Sequence, residues 1–242
     1  MNKSYALQLY SVRDTMETDF EGTLKSVAQM GYTQLEFAGF FGHTADEVNE
    51  ILKKYNLTVS GTHSRLPELI DNFDEVVAFH KKIGNKNYTI PSADLWTQES
   101  IDYFVKNANL LYERLKEHGI SLGFHNHARE FCVNPDGSVP FEQLVYRTNI
   151  DLQVDTFWAY VGMKDPIALM NRFPDRIKSV HIKDGFDDGK GKPLGMGTAP
   201  VDKVFEWAQK NNKLMVVESE TLNPSGLAEA KICIDYLHKL EK

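Results

Sequence analysis

The sequence predicts an α/β protein that folds as a closed (β/α)8 TIM barrel, with residues 1–242 forming a single domain. The main observation is an alternation, because a short β-favouring run is followed by an amphipathic helical segment eight times along the chain. A length of 242 residues suits such a barrel, and no linker, charge block or low-complexity segment divides the chain. A doubly wound open sheet is the alternative fold, but it usually contains fewer strand–helix units.

The predicted strands are short runs rich in β-branched and aromatic residues. In chain order they span 5–11, 33–39, 57–64, 86–92, 120–127, 150–156, 177–184 and 213–220. Segments with apolar residues at helical spacing separate and follow them. The predicted helices span 19–31, 44–56, 71–84, 97–119, 140–147, 165–173, 200–212 and 225–242.

Two helix ends carry local signals. Gly31 follows the first amphipathic segment and is predicted to stop it, because glycine readily adopts the left-handed conformation at a helix end. Thr44 with Glu47 three residues later is predicted to form a capping box at the start of the second helix.

The composition predicts an ordinary globular protein, with 42% hydrophobic and 25% charged residues. A net charge of -7 argues against a surface built to bind nucleic acid. Cys132 and Cys233 are too few for a disulfide framework, which favours a reducing, cytoplasmic compartment. The N-terminal segment lacks the apolar core of a signal peptide, and no run is long enough to predict a membrane span.

In the predicted strands, polar residues recur at every second position. Alternate strand side chains face opposite sides, and the apolar set should face the helices of a barrel. The polar set is then predicted to face the barrel axis, near the strand ends where barrel active sites lie. Its members are Gln8, Tyr10, Glu36, His63, His125, His127, Asp151, Gln153, Asp155, His181, Lys183, Glu218 and Glu220.

Such a cluster of inward charges needs compensation, since an unpaired buried charge costs several kcal/mol. Asp155, His181 and Glu218 lie on three successive predicted strands and offer oxygen and nitrogen donors to one divalent cation. This mixed set favours manganese, cobalt, zinc or iron over calcium, which prefers oxygen ligands. The alternative is that these groups are structural and simply hydrogen-bonded to one another.

The order of eight motifs resembles the xylose-isomerase-like TIM barrel superfamily and, within it, the sugar phosphate isomerase/epimerase group. The motifs are LQLYSVRD, LEFAGFFG, GTHS, FHNHAREF, VDTFWAY, VHIKD, LGMGTAPVD and VVESE. The resemblance implies one divalent metal (Mn, Co, Zn or Mg) held by a Glu, Asp, His, Glu set, of which the last three match Asp155, His181 and Glu218. His125 stands where epimerase relatives have glutamate, so the resemblance makes it the fourth predicted ligand, with a nitrogen donor in place of a carboxylate. This FHNH form resembles the inosose dehydratase branch.

The resemblance further implies a cytoplasmic sugar isomerase or epimerase. It would abstract the proton next to the carbonyl of a keto-sugar or sugar phosphate through a metal-stabilised enediolate. Glu218 is the first candidate for the base and Glu36 the second, while Lys183 would stabilise the oxyanion or return a proton. Lys183 could instead be a structural partner of Asp155 or Asp184. The predicted substrate contacts are Gln8, His63, His127 and Trp158.

The long loop after the seventh strand, 185–200, is rich in glycine and is predicted to be either a lid or a flexible surface loop. Gly195 and Gly197 would let backbone amides approach a substrate or a phosphate. Asp184 has the opposite parity from His181, so it is predicted to brace this loop.

Other functions stay open at this stage. His125 keeps an inosose dehydratase-like or keto-glycoside lyase reaction as the alternative, as well as a sugar-binding barrel without catalysis. An endonuclease of the same superfamily would need additional metal ligands and a basic rim, which the acidic composition disfavours. The expected partner is therefore a small sugar or keto-sugar, with no nucleic acid and no membrane. The sequence does not determine the oligomeric state, although the resemblance allows a homo-oligomer because barrels of this superfamily often pair.

Overall fold

The barrel strands lie where the alternation predicts them. A computed structural model describes residues 5–163 and 165–242. Its barrel strands are β1 (Ala6–Gln8), β2 (Gln34–Phe37), β3 (Thr58–His63), β4 (Asn87–Ile90), β5 (Ser121–His125), β6 (Asp151–Asp155), β7 (Ile177–Ile182) and β10 (Leu214–Val217). They close a parallel barrel in the order β1-β10-β7-β6-β5-β4-β3-β2. The predicted fold class is confirmed.

The helices surround this barrel. They are α1 (Arg13–Met16), α2 (Phe20–Met30), α3 (Ala45–Lys54), α4 (Leu66–Asp71), α5 (Phe73–Lys82), α6 (Gln98–Glu117), α7 (Pro140–Arg147), α8 (Thr156–Met163), α9 (Pro166–Arg172), α10 (Val201–Lys210) and α11 (Gly226–Leu240). Short 3-10 helices span Leu9–Val12 and Ala128–Phe131, and an antiparallel ribbon of β8 (Asp184–Gly185) and β9 (Gly191–Lys192) follows β7. Of the helices that the structure describes, none combines the length and apolarity that a bilayer crossing requires.

The two predicted helix ends are confirmed. Gly31 ends α2 with φ 107°, a left-handed conformation that favours glycine. Thr44 accepts a hydrogen bond from the backbone N–H of Glu47, and the Glu47 carboxylate accepts one from the backbone N–H of Thr44.

The predicted parity is confirmed for the apolar set, which is buried between the strands and the helices. Its strand members include Leu7, Leu35, Phe37, Leu122, Phe124, Leu152, Val154, Val180 and Ile182. The main hydrophobic core therefore lies outside the barrel wall, and the barrel axis is left to polar side chains.

Two members of the polar set lie elsewhere than predicted. Strand β1 ends at Gln8, and the chain then turns into a 3-10 helix, so Tyr10 is 43% exposed beneath the Arg13 guanidinium instead of facing the axis. Asp151 faces a small cavity of about 90 Å³ in the barrel, but it begins β6 and thus lies at the end opposite the strand carboxyl ends.

Register shifts help to place two inward residues. The pairing of β2 with β3 shifts between Leu35 and Glu36, and the pairing of β6 with β7 shifts between Leu152 and Gln153. Such bulges re-aim strand side chains. As a result, the side chains of Glu36 and Gln153 meet across the barrel, where the Gln153 amide donates to Glu36 Oε1 at 2.6 Å.

We predict that His80, near the end of α5, makes the fold sensitive to acid. His80 is buried, Asn85 Nδ2 lies 2.8 Å from its Nδ1, and burial lowers its pKa from 6.5 to about 4. The unfolded chain therefore takes up the proton first, and the stability supplied by neutral His80 is lost as the pH falls from about 6.5 toward 4. Between pH 7.5 and pH 5 this loss amounts to roughly 2 kcal/mol.

Urea unfolding of the wild type and His80→Gln at both pH values measures this contribution. We expect the pH-dependent drop in the free energy of unfolding to be smaller in the variant by that amount. Equal drops in the two proteins would contradict the assignment to His80.

Candidate metal centre

Four side chains converge at the carboxyl ends of neighbouring strands. His125 and Asp155 end β5 and β6, His181 lies near the end of β7, and Glu218 directly follows β10. Each is at most 4% exposed. One donor atom from each residue lies within 4.8 Å of all the others, which is the spacing of a shared metal site. The structure thus brings together all four predicted ligands.

Two atoms of this group lack hydrogen-bond partners. Asp155 Oδ2 and His125 Nε2 are buried, and neither atom takes part in a hydrogen bond within the described residues. The two atoms lie 3.4 Å apart. The other Asp155 oxygen, Oδ1, accepts from the backbone N–H of Trp158 at 2.8 Å. A buried carboxylate oxygen without a partner is costly, and a cation between Asp155 and His125 would satisfy both atoms.

His125 is suited to ligate through Nε2. Its Nδ1 lies 3.4 Å from the carbonyl oxygen of Pro91, which can only accept, so the ring proton belongs on Nδ1. Burial, together with the nearby charges of His181 and His63, lowers the pKa of His125 well below its ordinary value. The imidazole is therefore neutral and presents the Nε2 lone pair to Asp155.

Charges at the other side of the group are paired. Burial opposes ionisation of Glu218, but Lys183 and His181 outweigh burial and lower the pKa of Glu218 well below its ordinary value. The Glu218 carboxylate accepts two hydrogen bonds within the described residues, from His181 Nδ1 at 3.3 Å and from Lys183 Nζ at 3.1 Å, and both go to Oε2. The carboxylate is thus ionised, and its Oε1 has no such bond.

Lys183 is a buried ammonium group among carboxylates. Its Nζ also donates to Glu220 and lies 3.8 Å from Asp155 Oδ2. Burial would lower its pKa, but Glu218, Asp155 and Glu220 outweigh burial and raise it. The sequence suggested Asp155 and Asp184 as structural partners of Lys183. Asp155 lies near the Lys183 ammonium group, whereas the Asp184 carboxylate binds backbone N–H groups of the following loop.

These residues fit a divalent cation. Two imidazole nitrogens and two carboxylate oxygens form a donor set that suits zinc, manganese, cobalt or iron. Within the described residues, His125 Nε2 and Asp155 Oδ2 have no hydrogen-bond partner and are available to a cation. Burial raises the pKa of Asp155, and a dication beside it would favour its ionised form.

Glu36 lies below this group and contacts it through His181. Its Oε2 lies 2.6 Å from His181 Nε2 and 3.2 Å from His63 Nε2, and it accepts from Gln8 Nε2 at 2.8 Å. Burial would raise the pKa of Glu36, but its interactions with the His63 and His181 rings and the hydrogen bond from Gln153 outweigh burial and lower the pKa to about 2. Glu36 is therefore ionised in the barrel interior.

The four predicted substrate contacts lie in three different places. His63 lines a cleft of about 540 Å³ beside the loop after β2, and His127 and Trp158 lie together above His125, with 5.9 Å between their ring centroids. The Trp158 indole N–H is buried and lacks a partner within the described residues. Gln8, in contrast, is fully buried, and its amide is used by Glu36 and by the backbone N–H of Tyr10.

The loop after β7 is braced by Asp184, as predicted. The Asp184 carboxylate accepts hydrogen bonds from the backbone N–H groups of Gly185, Gly195, Gly197 and Ala199, at 2.7–3.2 Å. The expectation that the Gly195 and Gly197 amides bind a phosphate is wrong, because both donate to Asp184. A Cβ at Gly197 would lie 2.3 Å from Asp184 Oδ1, so this close approach requires glycine.

Two residues that position the centre had no role assigned from sequence. Asn126 makes reciprocal hydrogen bonds with the backbone of Asp155, donating to its carbonyl and accepting from its N–H, both at 3.2 Å. Gln153 links Glu36 to His63. Their only sequence signal was position, since Asn126 stands between His125 and His127 and Gln153 shares the inward parity of Asp155.

Comparison with known proteins places this site in a family context. The family described as "Xylose isomerase-like TIM barrel" matches residues 24–239. A curated relative from Mesomycoplasma hyopneumoniae, named inosose dehydratase, is 25% identical over 269 positions that cover 93% of this chain and 89% of the relative.

Solved structures share the fold. A sugar phosphate isomerase/epimerase from Parabacteroides distasonis superposes with a TM-score of 0.87 at 24% identity over 98% of both chains. The IolI protein, crystallised with a zinc atom, superposes with a TM-score of 0.77 at 14% identity over 98% of both chains.

We predict that the wild type binds one zinc ion per chain and that Asp155→Asn weakens binding roughly 100-fold or more. Asparagine keeps the Oδ1 that accepts from Trp158 but replaces the unpaired Oδ2. Competition with a chromophoric chelator measures the affinity. Asp151→Asn is the matched control, since it changes an aspartate at the opposite end of the same strand and should retain wild-type affinity. Equal affinity of Asp155→Asn and wild type would contradict the site.

We also predict that Asp184→Ala destabilises the protein by roughly 3 kcal/mol or more, because it leaves four backbone N–H groups without their charged acceptor. The loop 186–199 should become susceptible to limited proteolysis. Asp188→Ala, which removes an exposed loop aspartate paired with Lys190, should change stability by less than about 0.5 kcal/mol. A loop that resists protease in Asp184→Ala as it does in the wild type would show that other contacts hold it.

Proposed function

Because the chain belongs to the xylose isomerase-like TIM barrel family, we propose that it is a divalent-metal-dependent enzyme acting on a keto-sugar or a related keto-polyol. The reaction would begin with removal of the proton next to the carbonyl. The observation that carries this proposal is the convergence of four buried donors from neighbouring strands, two of which, on His125 and Asp155, have an atom without a hydrogen-bond partner among the described residues.

A divalent ion bound by His125, Asp155, His181 and Glu218 would act as a Lewis acid on the substrate carbonyl. Glu218 is our candidate for the general base. It is ionised, and its Oε1 is free of hydrogen bonds from the described residues, so this oxygen can accept a proton from substrate. Glu36 is a weaker candidate, because its oxygens already accept from Gln8, Gln153 and His181 beneath the centre.

Lys183 is our candidate for oxyanion stabilisation. Its raised pKa keeps the ammonium charged, and the carboxylates of Glu218 and Glu220 fix its position. A fixed positive charge next to the base would stabilise negative charge that develops on a substrate oxygen. Above it, the Trp158 indole N–H and the His127 ring could bind hydroxyl groups of the substrate.

The product could be an isomer or epimer, or it could result from loss of water. His125 favours the second outcome, because a neutral imidazole replaces the carboxylate that would deliver a proton from the other face in a two-carboxylate epimerase. The curated inosose dehydratase relative supports the same alternative. With the Gly195 and Gly197 amides bound to Asp184, the loop gives no support to a phosphorylated substrate.

We predict that the zinc- or manganese-loaded enzyme exchanges the α-proton of its substrate with D2O and that Glu218→Gln slows this exchange roughly 100-fold or more. NMR spectroscopy of an inosose, a ketopentose and a ketohexose measures the exchange. The same spectra separate a deuterated isomer or epimer from a product that has lost water. Glu206→Gln, an exposed change on α10, should leave the rate unaltered. Metal binding without exchange in any of these substrates would favour a sugar-binding barrel without this chemistry.

A further inference from the structure

We propose that Glu36 is a positioning residue that sets the protonation form of two histidines at once. It would hold His181 in the form that offers Nδ1 to the cation and His63 in the form that offers Nδ1 to the substrate. This inference rests on the proposed metal-dependent function and assigns Glu36 a role other than that of a base.

The hydrogen bonds around Glu36 all run toward its carboxylate oxygens. Three nitrogen atoms surround the Glu36 carboxylate at hydrogen-bonding distance, and carboxylate oxygens enclosed in this way accept from each of them. Its oxygens face Gln8 Nε2, Gln153 Nε2 and His181 Nε2 at 2.6–2.8 Å. One His181 proton is therefore fixed on Nε2. The other ring nitrogen, Nδ1, points to Glu218 Oε2 and Asp155 Oδ2 in the metal centre, where a bound cation would take the place of its proton.

The hydrogen bond from Gln153 to Glu36 also determines which ring nitrogen of His63 carries the proton. Because Gln153 must present its NH2 group to Glu36, its carbonyl oxygen Oε1 faces the other way and lies 2.6 Å from His63 Nε2. That oxygen can only accept, so His63 also carries its proton on Nε2. His63 Nδ1 then remains as an acceptor on a residue that lines the 540 Å³ cleft, where it would select a substrate hydroxyl.

Glu36, His63 and His181 could alternatively hold a second cation, since their donor atoms also lie within 4.8 Å of one another. The hydrogen bonds favour the positioning role. A separation of 2.6 Å between Glu36 Oε2 and His181 Nε2 is that of a charge-assisted hydrogen bond. In addition, none of the buried atoms without a partner in the described residues belongs to this trio, whereas two belong to the upper group.

The surrounding backbone leaves room for this carboxylate. Gly61 lies opposite Glu36 in the pairing of β2 with β3, and a Cβ there would lie only 3.0 Å from Glu36 Oε1. Gly123 on β5 offers a matched position, because its Cβ would make ordinary contacts at 3.4 Å or more. The geometry therefore provides a way to displace the Glu36 carboxylate without changing its charge.

Long-range ¹H–¹⁵N spectra of the ¹⁵N-histidine-labelled, zinc-loaded wild type test the proposal directly, with His63→Gln and His181→Gln used for assignment. We expect both rings to carry the proton on Nε2, with His181 bonded to zinc through Nδ1. A proton on Nδ1 of either ring would overturn the proposal. This measurement requires no change to Glu36 itself.

Zinc affinity, measured by chelator competition, provides the second test. We expect Glu36→Gln to lower the zinc affinity roughly 10- to 100-fold. The glutamine amide has one acceptor oxygen instead of two, so its NH2 group would face a buried N–H donor that Glu36 now accepts from. Gly61→Ala should also lose affinity, and Gly123→Ala should not. Glu229→Gln controls for the loss of a buried carboxylate, since Glu229 is fully buried but accepts from Ser219, Thr221 and Asn223 instead.

The outcomes separate this inference from the proposed function. Equal zinc affinity in the wild type and Glu36→Gln would overturn the inference alone, as would a stoichiometry of two zinc ions per chain. A wild type that binds no zinc would overturn both the inference and the proposed metal-dependent chemistry.

Discussion

The acceptor-only carboxylate of Glu36 is the constraint on which the polar interior of the barrel depends. A buried charge costs several kcal/mol unless it is paired and hydrogen-bonded, and Glu36 meets this requirement through two glutamines and two histidines. Because it can only accept, it determines which atom each partner presents to the next residue. Burial opposes a charge on His181, but Glu36 and Glu218 outweigh burial and raise its pKa to about 10, so a cation must displace the Nδ1 proton to bind there.

The barrel supplies the positions that this network requires. Parallel strands place their carboxyl ends at one rim, and the pairing of Asp155 with His181 across β6 and β7 sets two ligands side by side. The apolar parity packs against the helices, which leaves the interior free for charged groups that a hydrophobic barrel core would exclude. Register shifts next to Glu36 and Gln153 then bring residues from distant strands into hydrogen-bonding contact.

His125 and Lys183 together give the centre its chemical character. Because His125 is a neutral imidazole, the four-residue centre contains two carboxylates, Asp155 and Glu218, and a glutamate in place of His125 would add a third. The Lys183 ammonium group lies beside both of these carboxylates. The proton-accepting capacity is thereby concentrated on the Glu218 side. This asymmetry distinguishes the site from an epimerase that uses two catalytic glutamates, and it supports loss of water as one of the two proposed outcomes.

The sequence by itself determined the alternation of strands and helices, the inward parity of the polar residues and three donors of the candidate metal centre, Asp155, His181 and Glu218, because these follow from local periodicity and from strand ends meeting at one rim. The fourth donor, His125, was identified by the family resemblance. Tertiary structure decided what local pattern could not. It turned Tyr10 outward, placed Asp151 at the opposite end of the barrel and occupied the Gly195 and Gly197 amides with Asp184. It also decided the partners of Glu36, since hydrogen-bond direction depends on which donors meet an acceptor across the barrel, and residues separated by 28 to 145 positions meet there only after the strands have closed.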